Sequence, residues 1–186
     1  MVTGYLSSGS ASPKFQRSYD GAVDPGGTTR AGEVAFRQLG RAAGGRLAIL
    51  ATVFDDGTFD GDSSTGMKES ARRAGRTFAM AQFVPYMREL LLRFDEEEPK
   101  LLDEAKARMR SMPDADPELE GKEIARLKAQ DPEEVRQWIR SGMRDAKSNV
   151  AERLSVYESI RLSPFRHDSF HDYWSNEISR PPFADR

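Results

Sequence analysis

The sequence predicts an α+β fold that is mainly α: a small β-ribbon of two or three strands, then a three- to four-helix bundle, with extended arms at both ends. Three observations carry this. Apolar residues recur at three- and four-residue spacing from Ser63 onward, the mark of helices burying one face. A strand-favouring run, Arg46 to Phe54, leads into Asp55-Asp56-Gly57. Gly, Ser, Thr and Pro dominate the first thirty residues, and the last twenty-five form an aromatic and Pro-containing tail.

Residues 1–30 read as an extended arm, with Asp24-Pro25-Gly26-Gly27 as a turn signal. Tyr5, Phe15 and Tyr19 are spaced along it, which a solvated linker does not need, so these rings are candidates for seating on a partner.

Residues 31–62 form the expected ribbon. Gly32 to Arg37 alternates as a strand would, although Ala31 to Ala43 also fits a helix capped by Thr29 and stopped by Gly44-Gly45. Along Arg46–Phe54, Leu47, Ile49, Ala51 and Val53 fall on one face. Gly57 accepts the positive φ of a hairpin turn, and Thr58-Phe59-Asp60 supplies a short return strand. This order, a Gly-Glu strand, a long strand and an Asp-Gly turn, resembles the closing strands of an immunoglobulin-like sandwich. Too little chain precedes it for a whole sandwich, so the ribbon must pack on helices or pair with another chain.

Residues 63–160 carry the bundle. Ser63-Ser64-Thr65 can cap a helix whose stripe is Phe78, Ala81, Val84, Met87, Leu91 and Phe94, with Pro85 predicting a kink or break near Gln82. Glu98-Pro99 restarts a helix with Leu101, Leu102, Ala105, Met109 and Met112 inward, and Met112-Pro113 stops it. Asp116-Pro117 and Asp131-Pro132 repeat one start signal, Asp as cap and Pro at the first helical position. The last helix shows Val135, Trp138, Ile139, Met143, Ala146, Val150, Leu154 and Tyr157 on one stripe. Beside it runs a row of Arg136, Arg140, Arg144 and Lys147, expected to be a solvated face paired with Glu133 or the acidic 95–98 run.

The chain has 186 residues and a formal net charge of -2, with 38% hydrophobic and 31% charged residues. That composition excludes a membrane-embedded protein and a histone-like basic one. With no cysteine, disulfides, thiolate metal sites and a Cys nucleophile are excluded too. Charge is blocky: +3 over residues 1–50, -4 over 51–62, +4 over 63–93 and -5 over 94–104. Alternating blocks suit pairing within or between proteins better than nucleic acid, which needs a sustained basic face. The N-terminus shows no signal-peptide pattern and no run spans a bilayer, so the expected compartment is the cytoplasm.

Three near-motifs fall short. Gly61 to Lys68 is placed like a P-loop, but Met67 stands where the phosphate-reaching Lys belongs. Asp56, Thr58, Asp60, Gly61 and Asp62 imitate half a calcium loop whose bidentate Glu is replaced by Met67. His167 and His171, with Asp168 and Asp172, have the spacing of metal ligands on one helix face but lack a third ligand nearby. No Ser/His/Asp triad is discernible, so no catalytic residue, cofactor or metal is assigned.

Residues 161–186 form the second arm, in which Phe165, Phe170, Tyr173, Trp174 and Phe183 either fold back over the helices or meet a partner. The functional expectation is a non-catalytic structural or interaction subunit of a larger assembly, hetero- or homo-oligomeric, whose arms and ribbon edge contact other subunits. A metal-binding protein or metal-dependent enzyme using His167 and His171 is the alternative. A nucleic-acid accessory protein using Arg72, Arg73, Arg76 and the Arg136–Lys147 row comes third.

Overall fold

A computed structural model describes residues 2–8, 15–19, 45–54, 56–163 and 169–179. Among the described residues it is mainly helical, with a small antiparallel sheet ahead of five helices. The chain divides into two compact units, Met1–Ser70 and Ala71–Arg186.

In the first unit the strands are β1 (Val2–Ser8), β2 (Phe15–Tyr19), β3 (Gly45–Val53) and β4 (Phe59–Gly61), in the sheet order β2-β1-β3-β4. All neighbours are antiparallel. Among the described residues the sheet has four strands, of which β3 and β4 are the ribbon expected over residues 31–62. The added pair comes from the segment read as an extended arm: backbone pairing with β3 uses every ladder group whatever the side chains, so a Gly/Ser-rich sequence hides it. Register shifts between Thr3 and Gly4, leaving Leu50 without a partner on β1. A β-bulge beside a glycine has this form. The described strands make one sheet, not the two layers that the sandwich resemblance implies.

The Asp-Gly hairpin forms as its sequence demands. Phe54 N–H donates to Thr58 O at 2.8 Å, Gly57 N–H to Phe54 O at 3.0 Å, and Gly57 sits at φ 81°. Asp56 Oδ1 accepts from the Thr58 amide at 2.9 Å and its hydroxyl at 2.6 Å, and the Ser70 hydroxyl donates to Gly57 O at 2.7 Å. Ala51 and Val53 are buried.

The helices are α1 (Ser63–Leu90), α2 (Glu98–Ser111), α3 (Pro117–Leu127), α4 (Pro132–Arg161) and α5 (Phe170–Ile178). The Asp-Pro starts work as read: Asp116 accepts from Leu119 N–H, and Asp131 from the amides of Glu133 and Glu134. Asp62, rather than the Ser63-Ser64-Thr65 run, caps α1, taking the Thr65 amide at 2.8 Å. These bonds stabilise the charged form and hold the Asp62 carboxyl below its usual range. α1 continues through Pro85 without a break. The expected interruption is avoided, and one turn earlier the Arg108 guanidinium of α2 donates to Gln82 O at 3.2 Å.

Two apolar clusters fill the second unit. The larger joins Phe83, Met87 and Leu90 of α1, Leu101, Leu102 and Ala105 of α2, Val150, Leu154 and Tyr157 of α4, and Phe170, Trp174 and Ile178 of α5. The smaller joins Ala71, Val135, Ile139 and Met143, with Leu119, Ile124, Leu127 and Trp138 packed against it. The stripes of α2 and α4 are as read from sequence. That of α1 needs correcting, because Phe83 is fully buried while Ala81 and Phe94 face solvent. α1 and α4 cross closely enough that a Cβ on Gly75 would stand 2.1 Å from Ile139 O, and one on Gly142 1.9 Å from Arg72 O.

Candidate interaction site

One end of the helical unit leaves large apolar side chains in water. Leu92 is 76% exposed, Phe94 72% and Leu162 72%, in a unit that buries most of its other large hydrophobics. The Leu90-Leu91-Leu92 run explains the first. Helix α1 ends at Leu90, and Leu91 and Leu92 stand in the turn that follows. Leu90 and Leu91 are taken inward and Leu92 is left out.

Phe94 follows because Arg93 is held in place. Its guanidinium donates to Glu96 at 2.5 and 2.6 Å and to Glu104 at 2.6 and 2.9 Å, and Lys100 meets Glu96 at 2.7 Å. These cations pull the Glu96 carboxyl down to about 2 and hold Glu104 below its ordinary range. The Tyr86 hydroxyl reaches Glu104 at 3.4 Å, and burial, then the Glu104 charge, raises its pKa. The loop between α1 and α2 is therefore fastened from within, and Phe94 projects outward. Its ring stacks on His171 of α5, with centroids 4.6 Å apart and planes 15° from parallel.

Glu98, opening α2, brings the other elements to this end. Its Oε2 accepts from the Tyr157 hydroxyl of α4 and its Oε1 from the Phe170 amide of α5, both at 3.1 Å. Leu162 caps α4 just beyond Tyr157. Asp95 and Glu97, close to Phe94 along the chain, are exposed carboxylates with no cation on them among the described residues. The neighbouring Glu158 differs: Lys106 at 2.8 Å, with help from Arg161, keeps it below its usual range.

The comparisons bear on identity at this point. The chain matches no protein-family model, no curated protein and no solved structure. Nothing about its activity is therefore inherited from another protein.

The residues expected to meet a partner divide into three groups. Tyr5, Phe15 and Tyr19 sit in β1 and β2, opposite Gln16, Leu6 and Val2 respectively. Phe165 and Phe183 lie outside the described residues, as do His167, Asp168 and residues 31–43. Phe170 and Trp174 are corrected: both are fully buried in the chain's own core. Trp174 meets Phe83 edge-on at 6.2 Å, and Phe170 meets Tyr157 at 5.4 Å. Tyr173 is half-buried against the same cluster. Ser169 and Asp172 form a capping box, so the segment read as an arm closes into a helix whose apolar face completes the bundle.

The charged candidates are spent locally. Asp60 accepts from Gly61 N–H, so Asp56, Asp60 and Asp62 all serve turn and cap amides. Among the described residues no three His, Cys, Asp or Glu side chains converge as metal ligands. Arg140 forks onto buried Glu120 at 2.8 and 3.1 Å, Arg136 meets Glu133 at 3.0 Å, and Lys147 meets Asp114 at 2.8 Å. Glu133 is as expected; α3 and its approach supply the other acids, instead of the 95–98 run. Arg72 is bound to Asp145 at 2.6 Å. Leu92 and Leu162 are the residues that sequence reading missed, and the triple leucine was the available signal.

Proposed function

We propose that this chain is a non-catalytic structural or interaction subunit of a larger protein assembly, acting in the cytoplasm. The observation that carries the reading is the exposure of Leu92, Phe94 and Leu162 on a bundle that buries most of its other large apolar side chains. Exposed leucines and a phenylalanine at one end lose apolar contact with water only when something covers them. Two further observations support it. Among the described residues, β4 pairs with Ala51–Val53 of β3 and no strand pairs with Gly45–Leu50 on that side, the kind of edge to which a partner strand adds. Asp56, Asp60, Asp62, Glu96, Glu104 and Glu120 are committed to caps and ion pairs, as in a scaffold. Among the described residues no helix is long and apolar enough to cross a membrane.

Native mass spectrometry on gently purified material tests the proposal. The expected result is a mass above 20.8 kDa with companions in fixed ratio. A bare monomer at that mass under all gentle conditions overturns it.

A further inference from the structure

We infer that the Leu92–Phe94 surface docks a cationic amphipathic segment of a partner protein; the inference rests on the subunit reading above and names the chemistry of its partner. The patch combines two features. Its centre is apolar and exposed. Its rim carries Asp95 and Glu97 with no cation on either among the described residues, while the nearby acids Glu96, Glu104 and Glu158 are each matched to an Arg or Lys. The unmatched charge next to Phe94 along the chain is thus negative; the cation Arg161 stands beside Leu162 instead. A segment with apolar residues on one face and Lys or Arg along its margin satisfies both. An Arg there can also lie on the Phe94 face, as guanidinium groups do on aromatic rings.

The same features argue against other occupants. A membrane surface rich in anionic lipid would be repelled by Asp95 and Glu97. A second copy docked through this patch by a two-fold axis would bring the two acidic rims together. The Arg93 clamp fixes the loop before binding, so little ordering is required of this side of the interface.

The test uses the full chain and a labelled synthetic helix of leucine and lysine in amphipathic order, with a counterpart in which every lysine is glutamate. Binding is read by fluorescence anisotropy at low and high salt. The lysine helix is expected to bind about tenfold or more tighter than the glutamate helix, and Leu92→Ser with Phe94→Ser to weaken it at least about tenfold. Asp95→Asn with Glu97→Gln is expected to weaken binding and flatten its salt dependence. Because all four side chains are exposed, each variant should keep the far-UV circular dichroism and melting of the parent.

Equal binding of the two helices, or no loss with the Leu92/Phe94 variant, overturns the inference. So does a dimer of this chain, or capture by anionic vesicles, that depends on Leu92 and Phe94. The native assembly separates the two readings. If its companions remain bound to the Leu92/Phe94 variant, this inference fails while the subunit reading stands; if no assembly exists, the subunit reading fails first.

Discussion

The crossing of α1 and α4 is the most exacting contact in the helical unit, and two glycines make it possible. A Cβ on Gly142 would stand 1.9 Å from Arg72 O, and one on Gly75 2.1 Å from Ile139 O, where real Cβ contacts stay above 3.0 Å. The obstacle is backbone, so no side-chain rotation relieves it. Gly142→Ala must therefore push the helices apart by about 1 Å, and a gap of that size forfeits a quarter to a half of each facing dispersion contact. The contacts at risk belong to Ala71, Val135, Ile139 and Met143. Overpacking of this kind costs about 1–3 kcal/mol, offset by about 1 kcal/mol from alanine's better helix propensity. Because the clash is with fixed carbonyls, the upper part of that range applies, and the net loss is about 2 kcal/mol, or ~4–8 °C in Tm. Gly121 in α3 is the control: nothing lies within 4 Å of its Cβ position, so Gly121→Ala gains about 0.5–1 kcal/mol. Thermal unfolding is followed by the fluorescence of Trp138 and Trp174, both in the helical unit. The Gly75→Ala/Gly142→Ala double variant should lose less than the sum of the singles, since helices parted for one methyl already admit the other. A Gly142→Ala protein that melts higher than the parent, as Gly121→Ala should, would refute the close crossing.

Three more expectations follow from the same packing and charges. Trp174→Ala removes a fully buried ring that meets Phe83, and should cost about 3–5 kcal/mol, read as a lower urea midpoint; a midpoint within error of the parent would mean that α5 does not complete the core. Glu96, lowered from 4.5 to about 2 chiefly by its bonds to Arg93, contributes stability that is complete above pH 4.5 and lost as the pH falls towards 2. Arg93→Gln should flatten the dependence of Tm on pH across that window, and added salt should shrink the effect; an unchanged slope contradicts it. Arg140→Met leaves the buried Glu120 carboxylate with only its longer contact to Arg136 at 3.9 Å and should lower Tm, whereas Arg144→Met, at an exposed position, should leave it unchanged; equal effects of the two would show that the fork onto Glu120 carries no stability.

Much of the fold was legible because local physics and tertiary packing agreed. The Asp-Pro starts at 116 and 131 need only a carboxylate, a fixed φ and a free amide, and all three are encoded within four residues. The inward stripe of α4 keeps one period through eight apolar positions, so its core face was fixed before any partner helix was known. Elsewhere the deciding interaction is distant in sequence. β1 and β2 are strands because of backbone pairing, which leaves no side-chain periodicity in a Gly/Ser-rich segment. Pro85 announces a break, yet the helix runs on.

Phe170, Trp174 and Phe94 show why burial could not be read from aromatic character alone. Phe170 and Trp174 have the aromatic character of binding residues, and so the sequence suggested a partner; the chain supplies that partner itself, through Phe83 and Tyr157. Phe94 sits at the next stripe position after Leu91, and so the sequence placed it inside. Helix α1 ends at Leu90, and past that residue the three- and four-residue period no longer dictates which way a side chain points. What sets Phe94 outward is the Arg93 clamp onto Glu96 and Glu104, and Glu104 lies eleven residues away on the next helix. The same clamp neutralises the acids nearest to it and leaves Asp95 and Glu97 uncompensated. An ion pair that serves stability on one side of the loop thereby sets both the shape and the charge of the surface on the other.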